Sequence, residues 1–247
     1  MCGRYTLTAE MSILAETFPL FSFSEIHPPR YNIAPTQAVL AVANHGKYRA
    51  DHFRWGLVPH WDKDPSIGNR MINARSETLA EKPSCRTPYR KRRCLILTDG
   101  FYEWVKIKDG TKMPFYLRMN SNSPVAFAGL WEQWRSPDGA TSFRSCTIVN
   151  TAANQFMSQL HHRMPVIIKP EDHERWLDPQ DRSPGELADL LVPSPDDDLT
   201  GYVVSQWVNS PRNDGPERIR PLYPTSAAAD ALHCWRARRQ RRDKRHT

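Results

Sequence analysis

Glycine is scarce in this chain: 11 residues in 247, against 21 prolines. Such a ratio disfavours long helices and favours loops and strand edges. No run of about 18 apolar residues occurs, so no membrane-spanning helix is expected. The N-terminus lacks the basic-then-apolar pattern of a secretory signal, so secretion is not expected and a cytoplasmic location is. Neither GxGxxG nor GxxxxGK[ST] is present, which leaves no phosphate-cradling glycine loop. The five cysteines, Cys2, Cys85, Cys94, Cys146 and Cys234, form no CxxC pair. Their odd number and spacing suggest neither a zinc site nor a disulfide framework, and they fit a reducing compartment. No metal or cofactor is expected.

What is present suffices for a packed globule: 39 % hydrophobic and 10 % aromatic residues. A length of 247 residues lies near the upper size for a single core. The formal charge of +7 is unevenly placed. Residues 235–247 hold seven basic side chains against Asp243, an excess of six, so the rest of the chain is nearly neutral. We therefore expect one domain over 1–225 and a flexible basic tail over 226–247, of the kind that can add non-specific affinity for nucleic acid.

Turn residues between apolar runs predict three hairpins. The first joins 37–43 to 47–55 through Asn44-His45-Gly46, and the second joins 101–108 to 113–119 around Asp109-Gly110. The third joins 125–131 to 143–149 around Pro137-Asp138-Gly139. A buried strand is expected at 94–97, with further strands at 165–168 and 202–208. Short helices are expected at 9–17, capped by Thr8 with Ile13, Leu14 and Phe18 inward, and at 76–81, 152–160, 170–177 and 184–191. Strands do not alternate with long helices, so the fold class is α+β with mainly antiparallel sheets, not a Rossmann-type sheet.

The chain begins Met1-Cys2-Gly3-Arg4. Removal of Met1 would leave Cys2 with two nucleophiles, an α-amine of pKa ~8 and a thiol of pKa ~8.5. Such an aminothiol needs a proton donor or acceptor and a positioning amide. Glu103 lies within Gly100-Phe101-Tyr102-Glu103-Trp104, where strand alternation puts it on the Phe101 face. It is either a solvated carboxylate or one held against aromatics with a raised pKa, suited to proton transfer. His161-His162-Arg163-Met164-Pro165 joins a predicted helix to a strand. Asn73 and Arg75 lie two residues apart, although an asparagine there is also a common helix cap. Tyr31, Trp55, Trp61 and Trp104 interleave with Arg4, Arg30, Arg54, Arg75 and Arg163, the mixture of stacking faces and cations that single-stranded nucleic acid requires.

In this order the motifs resemble the SRAP family, the SOS-response-associated peptidase-like proteins that crosslink to abasic sites in single-stranded DNA. The matching stretches begin with Met-Cys-Gly-Arg-Tyr and Tyr31-Asn32-Ile33-Ala34-Pro35-Thr36. They continue through Trp55-Gly56-Leu57-Val58-Pro59, Ile72-Asn73-Ala74-Arg75-Ser76-Glu77 and Gly100 to Trp104. His161 to Pro165 and Val208-Asn209-Ser210-Pro211-Arg212-Asn213-Asp214 complete the set. The resemblance implies a barrel-like core with short peripheral helices. It implies that Cys2, exposed by a peptidase-type loss of Met1, is the nucleophile, with Asn73, Glu103 and His161 at active-site positions. Arg4, Arg75 and Arg163 fall on phosphate-binding positions, and Pro35 and Trp104 where bases are wedged and stacked. The family pattern His-x-Arg-Met-Pro selects His161 and leaves His162 at x. The implied partner is single-stranded DNA carrying abasic sites, bound covalently by a DNA-associated monomer.

Glutamine amidotransferases, which are N-terminal-nucleophile amidohydrolases, also begin Met-Cys-Gly and are the alternative. They need an Asn-Gly oxyanion pair and a hydrophobic residue after Gly3, whereas here Arg4 follows and no Asn-Gly occurs. A non-covalent single-strand binder would leave Cys2, Asn73, Glu103 and His161 without a purpose.

Overall fold

A computed structural model describes residues 2–24, 27–45, 48–107 and 110–222. The expected basic tail, and parts of the turns at Gly46 and Asp109, lie outside the described residues. In chain order the strands are β1 (Tyr5–Leu7), β2 (Ser22–Phe23), β3 (Arg30–Ile33), β4 (Ala38–Ala43), β5 (Arg49–Trp55), β6 (Asn73–Arg75) and β7 (Arg93–Thr98). They continue as β8 (Gly100–Lys106), β9 (Lys112–Met119), β10 (Val125–Arg135), β11 (Ser142–Ala152), β12 (Arg163–Pro165), β13 (Ile167–Ile168) and β14 (Leu199–Val203). Among the described residues three short α-helices, α1 (Met11–Thr17), α2 (Pro83–Lys91) and α3 (His173–Leu177), and several short 3-10 helices sit around them.

Two sheets result. One has the order β14-β9-β8-β1-β3 and is antiparallel throughout. The other runs β12-β11-β10-β7-β4-β5-β2, and β11 also pairs parallel with β5. That extra pairing closes β11-β10-β7-β4-β5 on itself into a five-stranded barrel, which leaves those strands without the open edges that invite aggregation. The fold is thus α+β and mainly antiparallel with a barrel-like core. All three expected hairpins form, β4–β5, β8–β9 and β10–β11. One apolar core spans both sheets, joined where Tyr5 meets Trp55 at 5.2 Å and Phe101 meets Phe127 at 5.8 Å, both edge to face.

Several local expectations are corrected. The first helix starts at Met11, and Thr8 does not cap it. The Thr8 hydroxyl instead donates to Asp99, and Ile13 faces solvent while Leu14 and Phe18 are buried. The helix expected over 152–160 is the end of β11 followed by a single turn at Met157–Gln159, because β11 continues through Ala152 to pair with β12. The strand expected over 202–208 ends at Val203, and Gln206–Asn209 forms a 3-10 turn. Within the basic stretch 86–93, Arg93 is fully buried and donates to the carbonyls of Tyr89, Arg90, Trp176, Asp178 and Gln180, at the ends of α2 and α3.

Strand β1 is the element that places residue 2, and Asp99 anchors it. The Asp99 carboxylate accepts from the Thr6 hydroxyl, from the Thr8 amide and hydroxyl, and from the Ala9 amide at 2.9 Å. Removing an acceptor that satisfies several partly buried donors costs their desolvation as well as the bonds. Asp99→Ala is expected to destabilise the fold by about 2–4 kcal/mol. Urea unfolding should show a lower midpoint with an unchanged slope.

Candidate active site

Cys2 precedes β1, which lies between β8 and β3 in the five-stranded sheet, and is completely buried. Its thiol donates weakly to the Arg4 carbonyl oxygen at 3.8 Å. Burial pushes the thiol well above its ordinary range, and the nearby Glu103 carboxylate adds to that; the Arg4 bond opposes it. Desolvation wins because it disfavours the thiolate whatever its neighbours.

Asn73 stands on β6, held parallel to β11 with Asn73 opposite Ile148. It is a strand residue and not a helix cap; the adjoining 3-10 turn is only Ser76–Thr78. Its amide nitrogen donates to the Cys2 carbonyl oxygen at 2.7 Å, and its buried Oδ1 accepts no hydrogen bond from the described residues. Asn73 therefore fixes the backbone of the second residue and keeps an acceptor in reserve beside it.

Glu103 is 5 % exposed, on the Phe101 face of β8, so the carboxylate is not a solvated one. Tyr102, on the other face, packs against Tyr116 at 5.2 Å. Burial raises the Glu103 carboxyl above the usual range. His161 is half-buried. Its Nδ1 lies 2.9 Å from the Arg163 amide, which donates to it, and 3.3 Å from the Arg163 carbonyl; the shorter bond assigns the proton of the neutral ring to Nε2. Burial, with the neighbouring His162, holds His161 down at about 4. The exposed His162 stacks on it, ring centroids 4.3 Å apart.

Glu103, Trp104 and His161 line one open cleft of about 440 Å³ together with Lys112 and Asn209. The Trp104 indole N–H donates to Asn209 Oδ1 at 2.7 Å, and the Arg4 guanidinium lies 6.0 Å from the Trp104 ring. The structure thus brings Cys2, Asn73, Glu103, His161, Trp104 and Arg4 to one region. Pro35 lies outside the set that lines the cleft, in the turn after β3, where Thr36 adopts φ +74°. A second, more enclosed cavity of about 420 Å³, bounded by Phe18, Ile167, His173 and Leu190, contains none of the expected residues.

The three arginines expected at phosphates differ in what they have left to give. Arg75 is exposed. Arg4 Nη1 already donates to Asn32 Oδ1 at 2.6 Å and to the Val208 carbonyl at 2.8 Å. Arg163 grips Glu77 with two bonds of 2.6 and 2.8 Å and also reaches Asn150. Strand β11 joins two of them, Arg75 and Arg163, with Asn150 opposite Arg75 in register and hydrogen-bonded to Arg163. Lys112 and Asn209 were not singled out by sequence reasoning. Lys112 pairs with Lys106 across a hairpin and reads as a solvated charge. Asn209 sits in the Val208–Asp214 motif, which offered a position without a role.

Fold and site together define a β-structured protein whose candidate centre is built on its second residue. Residues 1–211 match the family described as SOS response associated peptidase (SRAP), and the chain belongs to it. It is 45 % identical over 223 residues to the abasic site processing protein YoqW of Bacillus subtilis, covering 89 % of this chain and 99 % of that one. It is 34 % identical over 226 residues to the abasic site processing protein HMCES of Gallus gallus, covering 78 % and 66 %. A crystal structure of a Bacteroides thetaiotaomicron protein superposes with a TM-score of 0.80 at 25 % identity, covering 90 % of this chain and all of that one. No described helix is long and apolar enough to cross a membrane. Among the described residues no three metal-ligating side chains converge.

The geometry makes His161 a histidine that stays neutral through the physiological range. A nitrogen-detected NMR titration should place its midpoint near 4 and show the Nε2–H tautomer above that pH.

Proposed function

We propose that this chain processes abasic sites in single-stranded DNA by closing a thiazolidine through Cys2 after Met1 has been removed. The observation that carries the reading is the Asn73 bond to the Cys2 carbonyl beside the buried Glu103. It fixes in place a residue whose only unusual asset is a potential aminothiol. The names of the relatives YoqW and HMCES support the same substrate.

A ring-opened abasic site presents an aldehyde. The Cys2 amine adds to its carbon, and the carbinolamine loses water to leave a protonated imine. The Cys2 sulfur then gives up its proton and bonds to the same carbon, closing a five-membered ring. The sum is one aldehyde and one aminothiol giving one thiazolidine and one water. Amine and thiol on a single residue make ring closure intramolecular, with a high effective concentration.

Glu103, protonated more readily than an ordinary carboxyl, donates to the departing hydroxyl of the carbinolamine. Its conjugate base then takes up the thiol proton that burial otherwise retains. Neutral His161 offers its Nε2–H for opening of the sugar ring or at the phosphate side. The free Oδ1 of Asn73 accepts from the new amine and orients it. Trp104, held by Asn209, stacks a neighbouring base, and Pro35 wedges another. Arg75 is available to a phosphate directly, whereas Arg4 and Arg163 can engage one only beside the internal bonds they keep. Exposure of Cys2 is hydrolysis of the Met1–Cys2 amide, one water consumed per methionine released, and we assign it to the same pocket. One chain supplies every group in this scheme, so it acts as a monomer.

Cys2→Ala is expected to abolish a heat-stable crosslink to abasic single-stranded DNA, and Cys2→Ser to leave at most a borohydride-reducible adduct. Denaturing gels read both, and an undiminished crosslink from Cys2→Ala would refute the mechanism. Glu103→Gln should slow crosslinking by about 10²-fold or more at saturating DNA. Mass spectrometry of the active protein should find Met1 absent.

A further inference from the structure

The geometry points to Trp207 as a second nucleobase platform, beyond Trp104, that stacks one base of the strand flanking the lesion. This rests on the proposed action on single-stranded DNA. At 68 % exposure Trp207 is the most exposed of the large hydrophobic side chains described. An indole left in water forfeits the burial that usually justifies a tryptophan.

Its surroundings hold it there. The Ser205 hydroxyl accepts its backbone N–H at 3.3 Å, and the Asn213 amide donates to its carbonyl at 2.8 Å. The Arg218 guanidinium lies under the ring, 5.1 Å from its centroid, and that side chain is only 5 % exposed. A nearly buried cation thus supports an indole by a cation–π contact. Arg218 is balanced by Glu217 at 3.0 Å, so it does not add a bare charge. Of the nearby charges, Asp214 pairs with Arg30, while Arg212 and Arg220 are exposed.

The position continues the cleft. Trp207 and Asn209 flank the buried Val208 on one 3-10 turn, Gln206–Asn209. Asn209 lines the cleft and holds Trp104, and the Val208 carbonyl holds Arg4. Only one residue separates Trp207 from Asn209 on this turn, so the indole and the side chain that forms the cleft wall rise from the same short element. Stacking on a π-face asks nothing of base identity, so the ligand is any nucleobase next to the abasic nucleotide.

Fluorescence anisotropy with single-stranded oligonucleotides carrying a non-reactive tetrahydrofuran lesion tests this. A second tetrahydrofuran is placed at each flanking position in turn. Trp207→Ala should raise Kd about 10-fold, by the same factor at low and high salt, because stacking releases no counterions. Trp207→Phe should restore most of the loss. At one flanking position, removing the base should weaken the wild type about as much as Trp207→Ala does, and should not weaken Trp207→Ala further. Equal Kd for all three proteins would overturn the proposal. So would a loss that Phe does not restore, or one that persists whichever base is missing. Crosslinking of the wild type to a true abasic site, run alongside, tests the Cys2 chemistry separately: failure there leaves the anisotropy result to speak for Trp207 alone.

Discussion

The Asp99 carboxylate ties residues 6–9 into the fold, accepting from Thr6, Thr8 and Ala9 at once. Chain termini ordinarily fray, because few contacts repay the entropy of ordering them. Here the second residue is fully buried, and that requires the start of the chain to behave as an interior strand. Strand β1 lies between β3 and β8 and sends Tyr5 into the aromatic junction of the two sheets. The position of Cys2 is thus inherited from the core, not from a loop.

A second knot closes the other end of the domain over the first. Asn32 is completely buried, and its amide donates to the carbonyls of Val208, Ser210 and Asn213, while its Oδ1 accepts from Arg4. Asp214 completes the closure by accepting from the amides of Tyr31 and Asn32 and from Arg30. Residues some 180 positions apart in sequence become one wall, and Arg4 is a strut within it as much as a cation facing the cleft. Arg163 has the same double character through Glu77 and Asn150.

The sequence disclosed the hairpins because their turns and alternation are local. It hid β1, β3 and β6, three or four residues each, whose pairing is set by partners far along the chain. From its neighbours alone Asn73 could equally be a cap, the local explanation of an asparagine before a polar turn; its actual partner, the Cys2 carbonyl, is 71 residues away. The 152–160 stretch read as helical from its composition, yet β11 runs to Ala152 because β12 continues the ladder there. For the site, the resemblance supplied the residue set, and strand alternation placed Glu103 on the right face. Neither could say that Arg4 and Arg163 spend donors internally, nor that Asn209 holds Trp104, since those facts depend on side-chain geometry across the fold.

The burial of Cys2 has a chemical consequence beyond positioning. Peroxides and disulfides are attacked by thiolates, and a thiol kept protonated and out of solvent offers them little. A thiol held in that form is not readily lost to sulfenic acid or mixed disulfides. Oxidative conditions damage DNA and surface cysteines together; this sulfur is sheltered from the oxidant by the same apolar packing that aligns it.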